Sequence, residues 1–213
     1  MKRGGGSSPA HPGPGLSDES PDGHEGAVEL RKLITWNLVT LDGFFEGEKS
    51  GDLAFHQAAG GPGLEAFVKE QLRSVGGVLF GRVTYEGMAK FWPTQTGEVA
   101  SFMNSVPKYV FSRTLGKVDW RNSRLVKGDP AAEVVKLKHG EGQDLFVMGS
   151  ANLSSTLIAA GLVDEYRLGL TPILLGRGNP LFKASSRMSM LRLIEAKTLD
   201  GGCVILRYAP QRV

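Results

Sequence analysis

Three short segments place glycine, hydroxyl or guanidinium groups directly after apolar stretches that are typical of buried strands. They are Gly81-Arg82 with Thr84, Ser112-Arg113, and Gly149-Ser150. Unpaired backbone N–H groups, hydroxyls and guanidinium groups are the donors with which proteins hold phosphate. Together the three segments favour a binding site for a dinucleotide.

The third segment is the most informative. The stretch 144–148 is typical of a buried strand, and after Gly149-Ser150 apolar residues recur at helical spacing, at Leu153, Leu157, Ile158 and Leu162. A helix that begins at such a turn leaves N–H groups unpaired and points the positive end of its dipole there, which suits a diphosphate. The alternative is an ordinary strand-to-helix connection that uses glycine for its backbone freedom.

The other two segments contribute side chains. Arg82 and Thr84 fall in the first turn of a second amphipathic helix, where a guanidinium and a hydroxyl can join free N–H groups around a phosphate. In the alternative interpretation, Thr84 caps this helix and Arg82 is solvated. Ser112 and Arg113 place a hydroxyl beside a guanidinium, a pair that suits the 2′-phosphate distinguishing NADPH from NADH.

The elements that position these segments alternate between short strands and helices from residue 30 onward. This alternation predicts a three-layer α/β fold with a mostly parallel central sheet and helices on both faces. The last two strands, joined by Asp200-Gly201-Gly202, are expected to add an antiparallel edge. Because such sheets bind ligands at the carboxyl ends of their strands, the three segments should converge there. Gly60-Gly61-Pro62-Gly63 is predicted to be a flexible loop.

The first 29 residues of the 213-residue chain are rich in glycine and proline and poor in large apolar side chains. They cannot bury enough apolar surface to offset their conformational entropy, so 1–29 is predicted to be a disordered acidic tail and 30–213 a single domain. Two basic and five acidic residues give the tail a net charge of −3. Since the whole chain carries a formal charge of +3, the domain carries +6. That charge is compatible with an anionic small ligand, and no basic run indicates nucleic acid.

Several kinds of site and location are disfavoured. The four histidines and the single cysteine, Cys203, have no zinc-ligand spacing, so no metal site is expected. There is no Walker-type phosphate loop and no Gly-x-Ser-x-Gly nucleophile motif. No apolar run suits a secretory signal or a membrane span, and one cysteine fits a reducing compartment, so we expect no membrane contact and a cytoplasmic location.

These segments resemble the dihydrofolate reductase-like superfamily, most closely the reductase domain at the C-terminus of the bifunctional riboflavin-biosynthesis deaminase/reductase. The resemblance covers about 31–210 and rests on five motifs in the same order: Leu41-Asp42-Gly43, Gly81-Arg82 with Thr84-Tyr85-Glu86, Val110-Phe111-Ser112-Arg113, Met148 to Leu153, and Asp164-Glu165-Tyr166 with Pro172 to Gly176. It implies a dihydrofolate reductase-like fold with an eight-stranded sheet, NADPH as cofactor, and a homodimer. The zinc motifs of the deaminase half are absent, so the chain carries at most the reduction step.

The resemblance also implies which residues contact NADPH. Residues expected at the phosphates are Gly81, Arg82, Thr84, Ser112, Arg113, Gly149, Ser150, Ala151, Asn152 and Leu153. Val39 and Thr40, with the loop that follows them, would lie against the nicotinamide. Related enzymes often carry two glycines at the diphosphate turn, and Ser150 is tolerable there if its φ stays negative.

Three carboxylates are candidates for orienting or protonating a substrate. Asp42 follows the first strand, Asp52 lies in the next loop, and Glu65 opens the helix before Gly81. Asp42 and Glu65 are the predicted catalytic residues, the latter because folate reductases hold the pterin with an acid at a similar place. The alternative for Glu65 is an acid favoured by the helix dipole alone.

The first hypothesis is an NADPH-dependent reductase of a small heterocyclic, carbonyl or imine substrate. A phosphoribosyl substrate would need a second basic site, for which Arg177 and Lys183 are candidates unless both are solvated loop charges. A second hypothesis is a nucleotide-binding protein of the same fold without catalysis. A third is a structural dimer whose sheet edge binds nothing.

Overall fold

The computed structural model describes residues 30–184 and 188–211. The predicted tail, 1–29, lies outside the described residues. The strands are β1 (Leu33–Thr40), β2 (Phe44–Glu46), β3 (Val75–Gly81), β4 (Lys108–Phe111), β5 (Ser123–Val126), β6 (Asp144–Met148), β7 (Glu165–Thr171), β8 (Asn179–Pro180), β9 (Leu191–Thr198) and β10 (Val204–Pro210). The helices are α1 (Ala54–Ala58), α2 (Pro62–Leu72), α3 (Arg82–Phe91), α4 (Glu98–Ser105), α5 (Pro130–Lys138) and α6 (Ala151–Ala159), with a 3-10 turn at Trp92–Thr94.

Within the described residues, eight strands form one sheet in the order β5-β4-β3-β6-β1-β7-β10-β9. The pairs from β5 to β7 are parallel, and β10 pairs antiparallel with both β7 and β9. The predicted mostly parallel sheet with an antiparallel edge is therefore confirmed. Strands β2 and β8 form a separate two-stranded sheet.

Helices cover both faces of the large sheet, as predicted. On one face, Leu33 and Leu145 pack with Val134 of α5 and Leu157 of α6. On the other face, Val78, Phe80 and Phe146 pack with Tyr85 of α3 and Met103 of α4, and α2 adds Phe67 beside Ile205. The central strands bury both faces, which explains why β3 and β6 are almost continuously apolar.

Two local expectations differ from the structure. The segment predicted to be a flexible loop ends in a helix, because α2 begins at Pro62 directly after Gly61; proline is well suited to a first helical position. Helix α4 was not predicted, and it buries only Ala100 and Met103 against the core. None of the described helices combines the length and apolarity needed to cross a membrane.

Candidate active site

A cleft of about 1650 Å³ opens at the carboxyl edge of the parallel strands. It is lined by ten of the residues predicted to contact NADPH: Gly81, Arg82, Thr84, Ser112, Arg113, Gly149, Ser150, Ala151, Asn152 and Leu153. These residues follow β3, β4 and β6, which are neighbours in the sheet. The fold thus brings the three predicted segments together in one cavity.

Ser150 adopts a backbone conformation that the sequence did not indicate. Its φ is +58°, in the left-handed region, directly after Gly149 at +64°, so the condition of a negative φ, under which serine was expected to be tolerable at this turn, is not met. The serine hydroxyl compensates by hydrogen bonding across the cleft floor. Ser150 Oγ accepts from Gly81 N at 2.7 Å and donates to Thr84 Oγ1 at 2.7 Å. A left-handed conformation costs a non-glycine residue about 1–2 kcal/mol, which hydrogen bonds of this kind offset.

The starts of helices α3 and α6 face the cleft without side-chain caps. The N-cap residues are Gly81 for α3 and Ser150 for α6. No described side chain caps the first turn of either helix, although the N–H of Gly81 itself donates to Ser150 Oγ. Their first N–H groups therefore remain available to an anion, and both helix dipoles present their positive ends. The predicted cap by Thr84 does not form, since its hydroxyl accepts from Ser150 instead.

A pair of cations lies at the far end of the cleft. Strands β4 and β5 are in register with Phe111 opposite Val126, so Arg113 and Lys127 follow adjacent strand ends. Both line the cleft, and within the described part of the chain neither forms an ion pair, whereas Arg82 pairs with Glu86 at 3.2 Å. Lys127 was not singled out in the sequence, although Gly128 and the helix start at Asp129-Pro130 follow it directly.

Val39, Thr40 and Asp42 lie at the end of β1 but not among the residues that line the cleft. Val39 is buried against Phe45 and Leu181. The Thr40 hydroxyl donates to Asp42 at 2.6 Å, and this hydrogen bond holds the pKa of Asp42 below its usual value. Asp42 also accepts from the backbone N–H of Gly176 at 2.7 Å. Asp42 thereby connects the loop after β1 to the loop after β7.

The remaining charged candidates are also outside the cleft, with one exception. Glu65 is exposed and pairs with Lys69 at 2.7 Å, a hydrogen bond that lowers the pKa of Glu65. The i, i+4 spacing of this pair was visible in the sequence. Asp52 accepts from Ala54 N at 3.2 Å, and Arg177 is exposed, 3.9 Å from Glu48. Lys183 does line the cleft, where it contacts Asn152 Oδ1.

Among the further polar side chains that line the cleft and were not singled out in the sequence, three carry a buried nitrogen without a hydrogen-bond partner in the described part of the chain. Asn37 accepts from Gly149 N at 2.8 Å, and its Nδ2 is buried without a partner. Gln71 Nε2 and His56 Nε2 are likewise buried without partners. Burial lowers the pKa of His56 to about 4, partly opposed by a hydrogen bond with the backbone of Phe45, so this imidazole is neutral at neutral pH. The only sequence signal was Asn37 within an apolar strand.

A family model for the RibD C-terminal domain matches residues 31–205. The chain belongs to the RibD C-terminal domain family. Two Bacillus subtilis proteins of uncharacterised function are related over most of their length. YyaP is 33% identical over 186 residues, which are 85% of this chain and 96% of YyaP. YwjB is 26% identical over 178 residues, which are 84% of this chain and 97% of YwjB.

Solved structures confirm the dihydrofolate reductase-like fold. A Shewanella sp. PV-4 protein assigned to riboflavin biosynthesis superposes with a TM-score of 0.70 at 23% identity, covering 85% of this chain and 99% of that one. A Thermotoga maritima deaminase/5-amino-6-(5-phosphoribosylamino)uracil reductase gives 0.62 at 16% identity, over 85% and 57%. Enterococcus faecalis dihydrofolate reductase, complexed with NADP(H), gives 0.55 at 13% identity, over 85% and 97%. Family and fold together indicate an oxidoreductase of the reductase type.

Proposed function

We propose that this protein is an NADPH-dependent reductase that transfers a hydride to a small heterocyclic, carbonyl or imine substrate, in the manner of the riboflavin-biosynthesis reductases. One observation carries the proposal. Three adjacent strand ends present two uncapped helix starts, and an arginine without an ion pair among the described residues, to a single cleft. The diphosphate and the 2′-phosphate of NADPH would find complementary donors there.

The residues present fit NADPH. Gly149 has little space for a side chain, since a Cβ added there would approach Thr84 Cγ2 to 3.1 Å. Without a side chain at this position, a diphosphate can approach the backbone N–H groups of the turn. Arg113 and Lys127 supply two positive charges for a 2′-phosphate, and Ser112 adds a hydroxyl. Asn37 fixes the turn by accepting from Gly149 N.

NADPH, when bound, supplies the hydride, so the chain itself has to bind, orient and exclude water. The two helix starts and the Arg113–Lys127 pair would fix the cofactor along the cleft. Trp36 and Met148, on adjacent strands in register, line the same cleft and would exclude water from the acceptor. The proton would come from solvent, because the predicted acids Asp42 and Glu65 are engaged in other contacts.

The second candidate is a dinucleotide-binding protein without catalysis. The placement of Asp42 and Glu65 outside the cleft lining favours it. The two acids that do line the cleft are both engaged: Glu46 accepts from Gly51 N at 2.7 Å, and Asp129 caps α5. Turnover distinguishes the two candidates, since only the reductase oxidises NADPH in the presence of an acceptor.

The experiment that tests the function combines binding with turnover. Purified protein is titrated with NADPH and with NADH, and is then incubated with carbonyls, pteridines and ribosylaminopyrimidines while NADPH absorbance is followed. The reductase hypothesis predicts binding followed by acceptor-dependent oxidation. Binding without oxidation of any acceptor supports the second candidate, and failure to bind either nicotinamide dinucleotide contradicts both.

We further propose that the protein forms a homodimer through strand β9. This edge strand exposes apolar side chains, with Leu193 49% and Ile194 42% accessible, and exposed apolar edge strands tend to pair with another chain. Light scattering coupled to gel filtration would show twice the 22.9 kDa chain mass. Replacing Leu193 by lysine should then yield monomers, and a wild-type monomer would contradict the proposal.

A further inference from the structure

Part of the cleft is an apolar chamber enclosed by α2, α3, α4 and the sheet. We define this apolar chamber by six lining residues: Trp36, Val68, Met88, Trp92, Met103 and Phe146. Trp36 also packs against Phe67 of α2, with ring centroids 5.7 Å apart. Flat aromatic side chains and flexible thioether side chains pack well against a planar ring of a ligand.

Charge is distributed unevenly along the cleft. Among the described residues that line it, the cations are Arg82, Arg113, Lys127 and Lys183. The first three follow strand ends on the proposed cofactor side, and Lys183 contacts Asn152 at the start of α6. None belongs to the apolar chamber. The guanidinium of Arg167 lies 5.3 Å from the centre of the Phe146 ring, but it is paired with Glu165. A phosphate placed in the apolar chamber would lose its hydration without gaining a cation that is free of an ion pair among the described residues, which is energetically costly.

Gln71 lines the cleft one turn of α2 beyond Val68 and brings an unsatisfied donor to the apolar chamber. Its side chain is 6% exposed, and its Oε1 accepts from Arg167 Nη1 at 2.9 Å. Because an arginine only donates, this contact fixes which end of the amide is oxygen. Arg167 is itself held by Glu165, 2.7 Å away. The Nε2 of Gln71 is therefore the donor end, and it has no hydrogen-bond partner among the described residues.

We propose that the substrate is an uncharged planar ring without a phosphate group, and that Gln71 Nε2 donates a hydrogen bond to a carbonyl oxygen of that ring. This inference rests on the proposed reductase function and names its substrate class. A ring that enters the apolar chamber as far as Gln71 gives the buried amide the partner it lacks, which favours carbonyl-bearing rings over purely apolar ones. Gln71 is thus a specificity-determining residue.

The test measures binding of two uncharged rings, menadione and lumazine, and of 5-amino-6-(5-phosphoribosylamino)uracil to the protein saturated with NADP⁺. Quenching of tryptophan fluorescence reports binding, because Trp36 and Trp92 line the apolar chamber. In Gln71→Glu, a carboxylate oxygen still accepts from Arg167, but the donor is replaced by a group that repels a carbonyl. We expect its dissociation constant for the uncharged ring to rise about tenfold to hundredfold.

Two further variants isolate the effect. Gln95→Glu makes the same change at an exposed side chain that bonds Thr94 outside the cleft, and it should leave ring binding within about twofold. Val68→Phe narrows the apolar chamber without altering charge and should also weaken ring binding. NADPH affinity should be unchanged in all three variants, which confirms that each one folds.

The possible outcomes distinguish a failure of this inference from a failure of the proposed reductase function on which it rests. Binding of an uncharged ring that Gln71→Glu weakens supports the inference. Tighter binding of the phosphorylated pyrimidine than of either uncharged ring, or equal ring binding by wild type and Gln71→Glu, overturns it while the reductase proposal stands. If neither uncharged ring binds although NADPH does, the substrate class is also wrong. Absence of NADPH binding by the wild type removes the proposed function and the inference with it.

Discussion

Ser150 Oγ donates a 2.7 Å hydrogen bond to Thr84 Oγ1 and so connects the start of α6 to the first turn of α3. The same oxygen accepts from Gly81 N. One hydroxyl thus ties together the two helix starts that face the cleft. It does so from a left-handed residue, so the backbone strain at Ser150 accompanies a fixed distance between the two helix starts.

This relationship predicts that two small substitutions at Ser150 lower the stability of the protein by different amounts. Ser150→Ala keeps the side-chain penalty of the left-handed conformation and loses both hydrogen bonds, so it should destabilise the protein by about 1–3 kcal/mol. Ser150→Gly loses the same bonds but removes the backbone strain, and should fall closer to wild type. Chemical denaturation of the three proteins measures the order. A glycine variant less stable than the alanine variant would show that φ at Ser150 is not strained.

Asp42 and Glu65 are expected to differ in their effect on stability. Asp42→Asn weakens hydrogen bonds to Thr40 and to the N–H groups of Leu175 and Gly176, so its melting temperature should fall. Glu65→Gln loses only an exposed pair with Lys69, which contributes little to stability, so its melting temperature should match wild type. Thermal unfolding with turnover measured in parallel is the check. Loss of turnover in Asp42→Asn at unchanged melting temperature would restore the predicted catalytic role.

His56 should make stability depend on pH. Its folded-state pKa of about 4 lies below the ordinary value of 6.5, so the unfolded chain binds more protons between these pH values. The contribution of neutral His56 is therefore fully present above about pH 6.5 and is lost as the pH falls toward 4, with a slope of at most about 1.4 kcal/mol per pH unit.

Denaturation between pH 4 and 7 tests this dependence against His56→Gln, which cannot titrate. We expect the difference in unfolding free energy between the two proteins to change with pH in that window, with wild type losing more on acidification. Parallel pH profiles would contradict the burial of a neutral imidazole at this position.

The sequence was sufficient to predict the features that depend on residues close to one another in the chain. The apolar run of β6, the glycine after it and the helical spacing that follows were sufficient to place the turn between β6 and α6. The sign of φ at Ser150 was not predictable, because its partners Thr84 and Gly81 are 66 and 69 residues away in the chain. Gln71 could not be found for the same reason: its anchor, Arg167, lies 96 residues further on.

The predicted NADPH preference depends on Arg113 and Lys127, which follow adjacent strand ends and form no ion pair among the described residues. Replacing Arg113 by alanine should weaken NADPH binding by about 1.5–3 kcal/mol, the value of a charge-assisted hydrogen bond, and should leave NADH binding nearly unchanged. Lys127→Ala should act in the same direction by a smaller amount. Glu141→Ala, at an exposed charge outside the cleft, is a control.

The most direct measurement is a titration of wild type and Arg113→Ala with NADPH and NADH, followed by nicotinamide fluorescence. We predict that wild type prefers NADPH and that the variant loses most of this preference through weaker NADPH binding. Equal losses for both dinucleotides would contradict the 2′-phosphate site. Failure of wild type to bind either one would contradict the reductase function itself.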